Sequence, residues 1–110
     1  MNAIAPSANL AAIRGPELLT APEALTIQTV DAFAEACRVL LSQDRPAAID
    51  LSGVKTCDTT GLQLLWAAQR SAAGRGQAWQ YVAPSQALRE VADALGCTAW
   101  MQEATTGGSP

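Results

Sequence analysis

Short apolar runs alternate along this chain with longer segments whose apolar residues recur every three or four positions. The clearest run, AAIDL at 47–51, follows Pro46 and precedes a polar connector and then a long periodic segment. A short apolar run between breakers is typical of a buried strand, and the helical period indicates an amphipathic helix. Strands that alternate with helices predict an α/β domain built on one central sheet.

Three segments have the helical period, with capping or breaking residues at their ends. The predicted helices cover residues 30–42, 60–73 and 86–95. Thr29 and Ser85 precede the first and third helices as predicted N-caps, because their hydroxyls can accept a backbone N–H of the first turn. Gly74 and Gly96 end the second and third helices, since glycine readily adopts the conformation that follows a helix.

Weaker patterns predict further strands and the character of the two chain ends. The strand candidates are residues 10–13, 24–27, 77–83 and 99–101. Residues 1–16 are predicted to be a flexible N-terminal segment. The alternative is that they contain a short first strand, at 10–13. The small and polar residues 102–110 predict a disordered tail.

Composition and charge narrow the function. The 110 residues are 49% apolar and 15% charged, with a formal net charge of −3, which indicates one globular domain. Lys55 is the one lysine and the arginines are scattered, so no basic stripe favours nucleic acid as a partner. The sequence shows no signal-peptide pattern and no apolar run long enough to cross a bilayer. We therefore expect a cytoplasmic chain without membrane insertion.

The three cysteines predict thiols rather than a metal site. Cys37, Cys57 and Cys97 have no metal-like spacing and are odd in number, so reduced and mostly buried thiols are the favoured interpretation. A redox role for Cys57, next to Asp58, is the alternative. We expect neither a metal nor a cofactor.

The segment CDTTG at 57–61 stands where the connector meets the second helix. Asp58, Thr59 and Thr60 are good capping residues, and Gly61 allows close backbone packing, so a plain helix cap is one interpretation. The other is a phosphorylation switch on a threonine hydroxyl. A phosphate adds about −1.5 to −2 charge at neutral pH, and a helix N-terminus tolerates that anion. In α/β domains, partners usually meet the loops beyond the carboxyl ends of the strands, where this segment falls.

The segment 50–65, DLSGVKTCDTTGLQLL, closely resembles the core signature of STAS domains, the sulphate transporter and anti-sigma factor antagonist family. The family pattern is a strand ending in D-L-S, a few residues, then D-S/T-S/T/A-G-L and an apolar helix. The similarity covers about residues 24–101. It implies a STAS domain over 17–101, with a mixed central sheet of four or five strands and helices mainly on one face.

The resemblance also implies a function. In antagonist members, a partner Ser/Thr kinase of the GHKL ATPase type phosphorylates the hydroxyl residue directly after the motif aspartate, which is Thr59 here. The unphosphorylated form binds the kinase and frees its sigma factor, and a phosphatase resets the cycle. The family therefore implies a non-enzymatic switch in transcription regulation. Its partner-binding surface comprises the motif residues Asp58, Thr59, Thr60, Gly61 and Leu62.

Some residues depart from the antagonist pattern. Antagonists usually carry L-x-G-x-L-D before their first helix, but Glu23 stands at the glycine position and Thr26 at the aspartate position. Thr59 replaces the commoner serine. PEALTIQTVDAF and GLQLL are more similar to single-domain STAS proteins of proteobacteria. Some of these resemble the STAS subunit of phospholipid ABC transporters, which binds the ATPase subunit, and others accompany chemotaxis-type signalling proteins. A constitutive, unphosphorylated adaptor is therefore the alternative.

Catalysis by this chain is not expected. The sequence has no histidine, hence no Ser-His or Cys-His pair, and it has no phosphate-binding glycine loop. Asp50 and Asp58 could pair as carboxylates, but Asp50 is expected to end a strand and to hydrogen-bond the nearby loop.

The tryptophans and two arginines carry weaker signals. Trp66 continues the predicted apolar stripe of the second helix, so core packing is favoured over a role as a partner anchor. For Trp79 and Trp100, core and rim positions are both open. Arg70 and Arg75 are interpreted as solvated residues near a helix C-terminus, where the helix dipole favours cations.

Overall fold

The computed structural model describes residues 17–106, whose strands and helices follow one another in α/β order. The strands are β1 (Glu17–Thr20), β2 (Ala24–Leu25), β3 (Ala47–Asp50), β4 (Thr56–Cys57) and β5 (Trp79–Val82). The helices are α1 (Val30–Gln43), α2 (Thr59–Gly74), α3 (Gln86–Ala94) and α4 (Thr98–Thr106). The strand candidate at 10–13 lies outside the described residues.

Parallel pairing joins the strands into two small sheets. β3 lies between β1 and β5, so that Ala47 stands opposite Glu17 on one side and Trp79 on the other. β2 pairs separately with β4. Pro22 lies between β1 and β2 in sequence and has no backbone N–H, so it cannot donate to a strand ladder there. The α/β class is confirmed, but residues 17–106 form sheets of three and two parallel strands and not the expected mixed sheet of four or five.

The first helix matches its prediction closely, except at its cap. Phe33, Cys37 and Leu40 are buried, as the apolar stripe predicts. Thr29 occupies the N-cap position, but its hydroxyl makes no capping bond. It donates to the carbonyl of Ala24 at 2.7 Å and accepts the N–H of Thr26 at 3.0 Å. The predicted cap is therefore wrong in its role: Thr29 closes the turn that follows β2.

The last strand and the third helix complete the core. Tyr81 is fully buried on β5, and its hydroxyl donates a hydrogen bond to the carbonyl of Leu65 on α2. Trp79, on the same face of β5, is also buried, which settles its place in the core. Ser85 caps α3 as predicted, since its hydroxyl accepts the N–H of Leu88 at 3.1 Å.

The predictions for the C-terminal region are wrong as far as residue 106, and residues 107–110 of the predicted tail lie outside the described residues. Residues 98–106 form α4, so 99–101 is not a strand and the predicted tail begins inside a helix. Met101 and Ala104 are buried at helical spacing, and Trp100 packs edge-on against Tyr81 with 6.2 Å between the ring centroids. The side-chain amide of Gln80 on β5 also donates to the carbonyl of Thr105. Burial against β5 therefore stabilises a helix where the local pattern was too short to identify one.

Candidate interaction site at the start of helix α2

Asp58 ties the start of α2 to the turn after β2. It is the N-cap residue of α2, and its Oδ1 accepts the N–H of Gly61 at 3.0 Å. Its Oδ2 accepts the N–H of Ile27, also at 3.0 Å. The Asp58 N–H in turn donates to the carbonyl of Leu25 at 3.1 Å. One residue thus caps a helix and fixes a segment that is distant in sequence.

Gly61 lets α2 pack directly on β2. A Cβ atom at this position would come within 2.8 Å of the carbonyl carbon of Leu25 and 2.9 Å of its Cβ, and closer still to its carbonyl oxygen. Backbone atoms cannot yield as the end of a flexible side chain can. The position therefore requires glycine for steric reasons, because the Cβ of any other residue would force the helix away from the strand.

The two threonines differ in exposure. Thr59 is exposed at the first position of α2, and Thr60 is half-buried behind it. Within residues 17–106, the Thr59 hydroxyl makes no hydrogen bond, since Asp58 already caps the helix. Thr59 is thus accessible to a modifying enzyme or a partner and is not needed for the cap. Gly61 and Leu62, by contrast, are buried and shape the site from beneath.

The electrostatics fit a carboxylate cap and an unreactive thiol. Hydrogen bonds from the backbone N–H groups of Gly61 and Ile27 hold the pKa of the Asp58 carboxyl below its usual value, so it is ionised at neutral pH. Burial, and then the nearby Asp58 carboxylate, raise the pKa of Cys57 to about 11. Since the thiolate is the reactive form of cysteine, Cys57 is protonated at neutral pH and the redox alternative loses its basis.

Asp50 lies where the sequence predicts. It is the last residue of β3, and its Oδ1 accepts the N–H of Ser52 at 2.9 Å. That bond lowers the pKa of the Asp50 carboxyl. This hydrogen bond in the loop after β3 explains why an aspartate stands at position 50. A catalytic pair with Asp58 is not needed to explain it.

An apolar groove of about 270 Å³ begins beside Thr59. It runs between α2 and the segment that joins α3 to α4. Its lining residues are Thr59, Leu62, Gln63, Trp66, Leu95, Cys97 and Trp100. None of these lining residues is an Asp, Glu, Lys, Arg or His. The sequence did not predict the groove. Its lining residues come from two segments, one before and one after β5 in sequence, which only the fold brings together.

Trp66 is exposed, which corrects the prediction that it packs in the core. Trp66 is 46% exposed and Leu95 is 44% exposed, whereas Leu62 and Leu65 are buried. With 3.6 residues per turn, Trp66 lies about 40° beyond Leu62 around the helix, on the side away from the buried Ala68. The buried alanines of α2 define its core face, and a stripe that included them would have identified Trp66 as a surface residue.

Arg70 contacts the groove through Trp66. Its guanidinium carbon lies 4.7 Å from the centre of a Trp66 ring, which is a cation–π arrangement. The prediction of a solvated Arg70 is confirmed by its exposure, but it missed the contact with Trp66. The spacing of four residues between the two side chains, one helical turn, was the signal in the sequence that could have identified the pair.

The described part of the chain contains neither a metal-binding cluster nor a helix that could span a membrane. Residues 17–106 hold no cluster of three or more acidic or cysteine side chains that could bind a metal ion. Over the same residues, every helix is too short or too polar to cross a bilayer.

Comparison with known proteins identifies the family. Residues 11–103 match the family model described as "Mlab, STAS domain". Searches of curated proteins and of solved structures find no significant match. The family match spans most of the chain and includes the D-T-T-G motif, both sheets, helices α1 to α3 and the first part of α4. The chain therefore belongs to the STAS domain family.

Proposed function

We propose that this STAS domain is a non-enzymatic protein-interaction switch, similar to an anti-sigma factor antagonist, that phosphorylation of Thr59 turns off. One observation carries the proposal: Thr59 is exposed at the edge of an apolar groove and its hydroxyl makes no hydrogen bond within residues 17–106, while Asp58 holds the helix cap. A residue that the fold does not need as a cap can be modified without unfolding the domain. A partner in the groove would meet the modification directly.

The chemistry of the helix start determines how a phosphate would act. Asp58 Oδ1 already accepts the N–H of Gly61, and the Leu62 N–H donates to the Asp58 carbonyl. A phosphate on Thr59 would therefore compete with the Asp58 carboxylate for the donors of the first turn, and the two anions would repel each other. The added charge would remain at the groove edge, where it hinders a docked partner.

The proposed partners follow from the family. A GHKL-type Ser/Thr kinase that acts as an anti-sigma factor would bind the unphosphorylated form and modify Thr59, and a phosphatase would remove the phosphate. Asp58, Thr59 and Thr60 would form the contact at the helix start. Gly61 and Leu62 would act from below: the glycine sets the depth of the helix on β2, and the leucine forms a groove wall.

The experiment is a peptide-level mass analysis of the protein isolated from its native cells, with and without phosphatase treatment. We expect a phosphatase-sensitive addition of one phosphate that localises to Thr59 and is absent from Thr59→Val. The neighbouring Thr60 serves as an internal control, because it is half-buried. Repeated absence of phosphate across growth conditions would contradict the switch.

The exposed groove itself favours a second candidate. Trp66 and Leu95 leave a contiguous apolar surface that a permanent subunit contact would bury. In this candidate the chain is a constitutive, unphosphorylated adaptor that binds the ATPase subunit of a phospholipid ABC transporter, or a chemotaxis-type signalling protein. Stoichiometric co-purification with an ABC ATPase, with Thr59 unmodified and Thr59→Val fully functional, would favour it over the switch.

A further inference from the structure

One exposed stripe of α2 joins the motif to the groove. Thr59, Gln63, Trp66 and Arg70 are all exposed and stand at positions i, i+4, i+7 and i+11 of the helix. This spacing places them along one side of the helix. At 1.5 Å per residue, the stripe is about 17 Å long from Thr59 to Arg70. It is thus long enough for about three turns of a partner helix.

The charge on this stripe lies at one end. Arg70 stacks on Trp66, and within residues 17–106 its guanidinium makes no ion pair. The contact with the indole face restricts the arginine, and a guanidinium over a ring can still donate hydrogen bonds from its N–H groups to a partner. At the other end, both oxygens of the Asp58 carboxylate accept backbone N–H groups. The stripe therefore presents an apolar centre beside a cation that makes no ion pair with any acidic residue of the described part of the chain.

We propose that the groove receives an apolar side chain from an acidic amphipathic helix of the partner protein, and that a carboxylate of this helix pairs with Arg70. The proposal rests on the proposed function, because it takes the face around Thr59 as the docking face. Charge complementarity carries it: an uncharged apolar groove suits an aliphatic or aromatic anchor, and an unpaired arginine suits a carboxylate.

The same chemistry explains how a phosphate at Thr59 would release the partner. A helix with carboxylates along one side would be repelled by a new charge of about −2 at the groove edge, whereas a basic helix would be attracted. A second copy of this chain is a poorer occupant. The stripe contains no carboxylate. In a twofold contact between two copies, the stripe of one copy would therefore offer no acidic partner to Arg70 of the other.

The first step of the test identifies the contact in native cells. A photo-crosslinking amino acid replaces Gln63, which is exposed and lines the groove, and the crosslinked peptides are sequenced by mass spectrometry. We expect one partner segment with apolar residues at helical spacing and Asp or Glu within a turn of them. A basic segment, a peptide of this chain, or no crosslink above that of a Gln43 control would overturn the proposal.

The second step measures the Arg70 pair. The crosslinked segment is synthesised as a peptide, and its Kd is measured with the wild type, Arg70→Glu and Arg75→Glu. Arg75 is the matched control because it is exposed and follows the same helix, but its guanidinium does not lie over the Trp66 ring as that of Arg70 does. We expect Arg70→Glu to weaken binding by roughly three- to tenfold, and Arg75→Glu to leave it within about twofold. A peptide with its acidic residues changed to Lys should restore binding to Arg70→Glu. Equal losses for the two arginine variants would overturn the proposal.

The same peptide separates this inference from the proposed switch. If Thr59→Asp releases the peptide and Arg70→Glu does not, the partner chemistry proposed here is wrong and the switch stands. If Arg70→Glu weakens the complex and Thr59→Asp does not, the docking chemistry stands and the switch fails. Circular dichroism and denaturant titration of each variant show that the losses do not come from unfolding.

Discussion

Helices α2 and α3 both begin with an N-cap side chain that accepts a backbone N–H of the first turn, but the two caps differ in their further contacts. At the start of α3, the Ser85 hydroxyl accepts the N–H of Leu88, three residues later. At the start of α2, Asp58 Oδ1 accepts the N–H of Gly61 in the same way, and Oδ2 accepts the N–H of Ile27 as well. A hydroxyl has one oxygen, whereas a carboxylate has two that can face different donors. The aspartate can therefore combine a local cap with a long-range tie.

The third residue of each helix shows the same difference. In α3 this position is Leu88, a fully buried side chain that anchors the helix in the core. In α2 it is Gly61, which brings the helix backbone against Leu25. The start of α3 is thus held by side-chain packing, and the start of α2 by backbone contact and the Asp58 carboxylate. This arrangement leaves Thr59 outside the fold's own contacts and available to a partner.

The largest expected effect comes from Gly61→Ala. Its Cβ would overlap the backbone of Leu25, so helix and strand must separate or the buried core must shift. We expect a loss of about 3 kcal/mol in the free energy of unfolding, measured by denaturant titration. Gly74→Ala is the matched control, since nothing lies within 4 Å of a Cβ there. It should stabilise the protein by about 0.5 kcal/mol. Equal effects of the two variants would contradict the close approach.

The next effect separates the two caps. Ser85→Ala should cost about 1 kcal/mol, as loss of an N-cap usually does. Asp58→Ala should cost more in the same titration, because it leaves the Ile27 N–H without its acceptor in addition to losing the cap. Asp58→Ser keeps one capping oxygen and should fall between wild type and Asp58→Ala. If Asp58→Ala and Ser85→Ala lose the same amount, the tie to Ile27 contributes nothing.

The pH dependence of stability offers a smaller but more specific test. The pKa of Asp58 is lower in the folded state than its ordinary value of 3.8, so its carboxylate stabilises the fold above that value and loses this contribution as pH falls through the folded pKa. The stability difference between wild type and Asp58→Asn should be full above about pH 5 and shrink as pH approaches 3. The difference between wild type and Ser85→Ala should stay constant over this range. A constant difference for Asp58→Asn would contradict the charged cap.

Much of the fold could be predicted from local pattern. The α1 stripe, the strand ending at Asp50 and the Ser85 cap all depend on neighbours a few residues away, which the sequence displays directly. The strand candidate at 24–27 contains β2, although only Ala24–Leu25 pair. Strand β4 could not be identified, because its two residues form a strand only through their pairing with β2. Helix α4 was missed for a similar reason, since it depends on burial against β5.

The features of the candidate site also divide into those that depend on local sequence and those that depend on distant segments. The D-T-T-G motif and the cap at Asp58 could be predicted because capping chemistry is local. The bond from Ile27, the contact between Gly61 and Leu25, and the groove beside Trp66 all join segments that are far apart in sequence. Trp66 was misassigned because its neighbours Leu62 and Leu65 suggested a core stripe, whereas the small buried residue Ala68 places the core face on the other side.

The smallest expected effect on stability comes from Thr59→Ala. Thr59 is exposed at the first position of α2, and within residues 17–106 its hydroxyl makes no hydrogen bond that the change would remove. We expect the free energy of unfolding to stay within about 0.5 kcal/mol of wild type. A loss as large as that of Ser85→Ala would mean that Thr59 shares the cap with Asp58, and the comparison between the two helix starts would fail. A small change, together with the large effect of Gly61→Ala two residues later, would show that the fold depends on the buried side of the motif and leaves Thr59 for a partner to recognise.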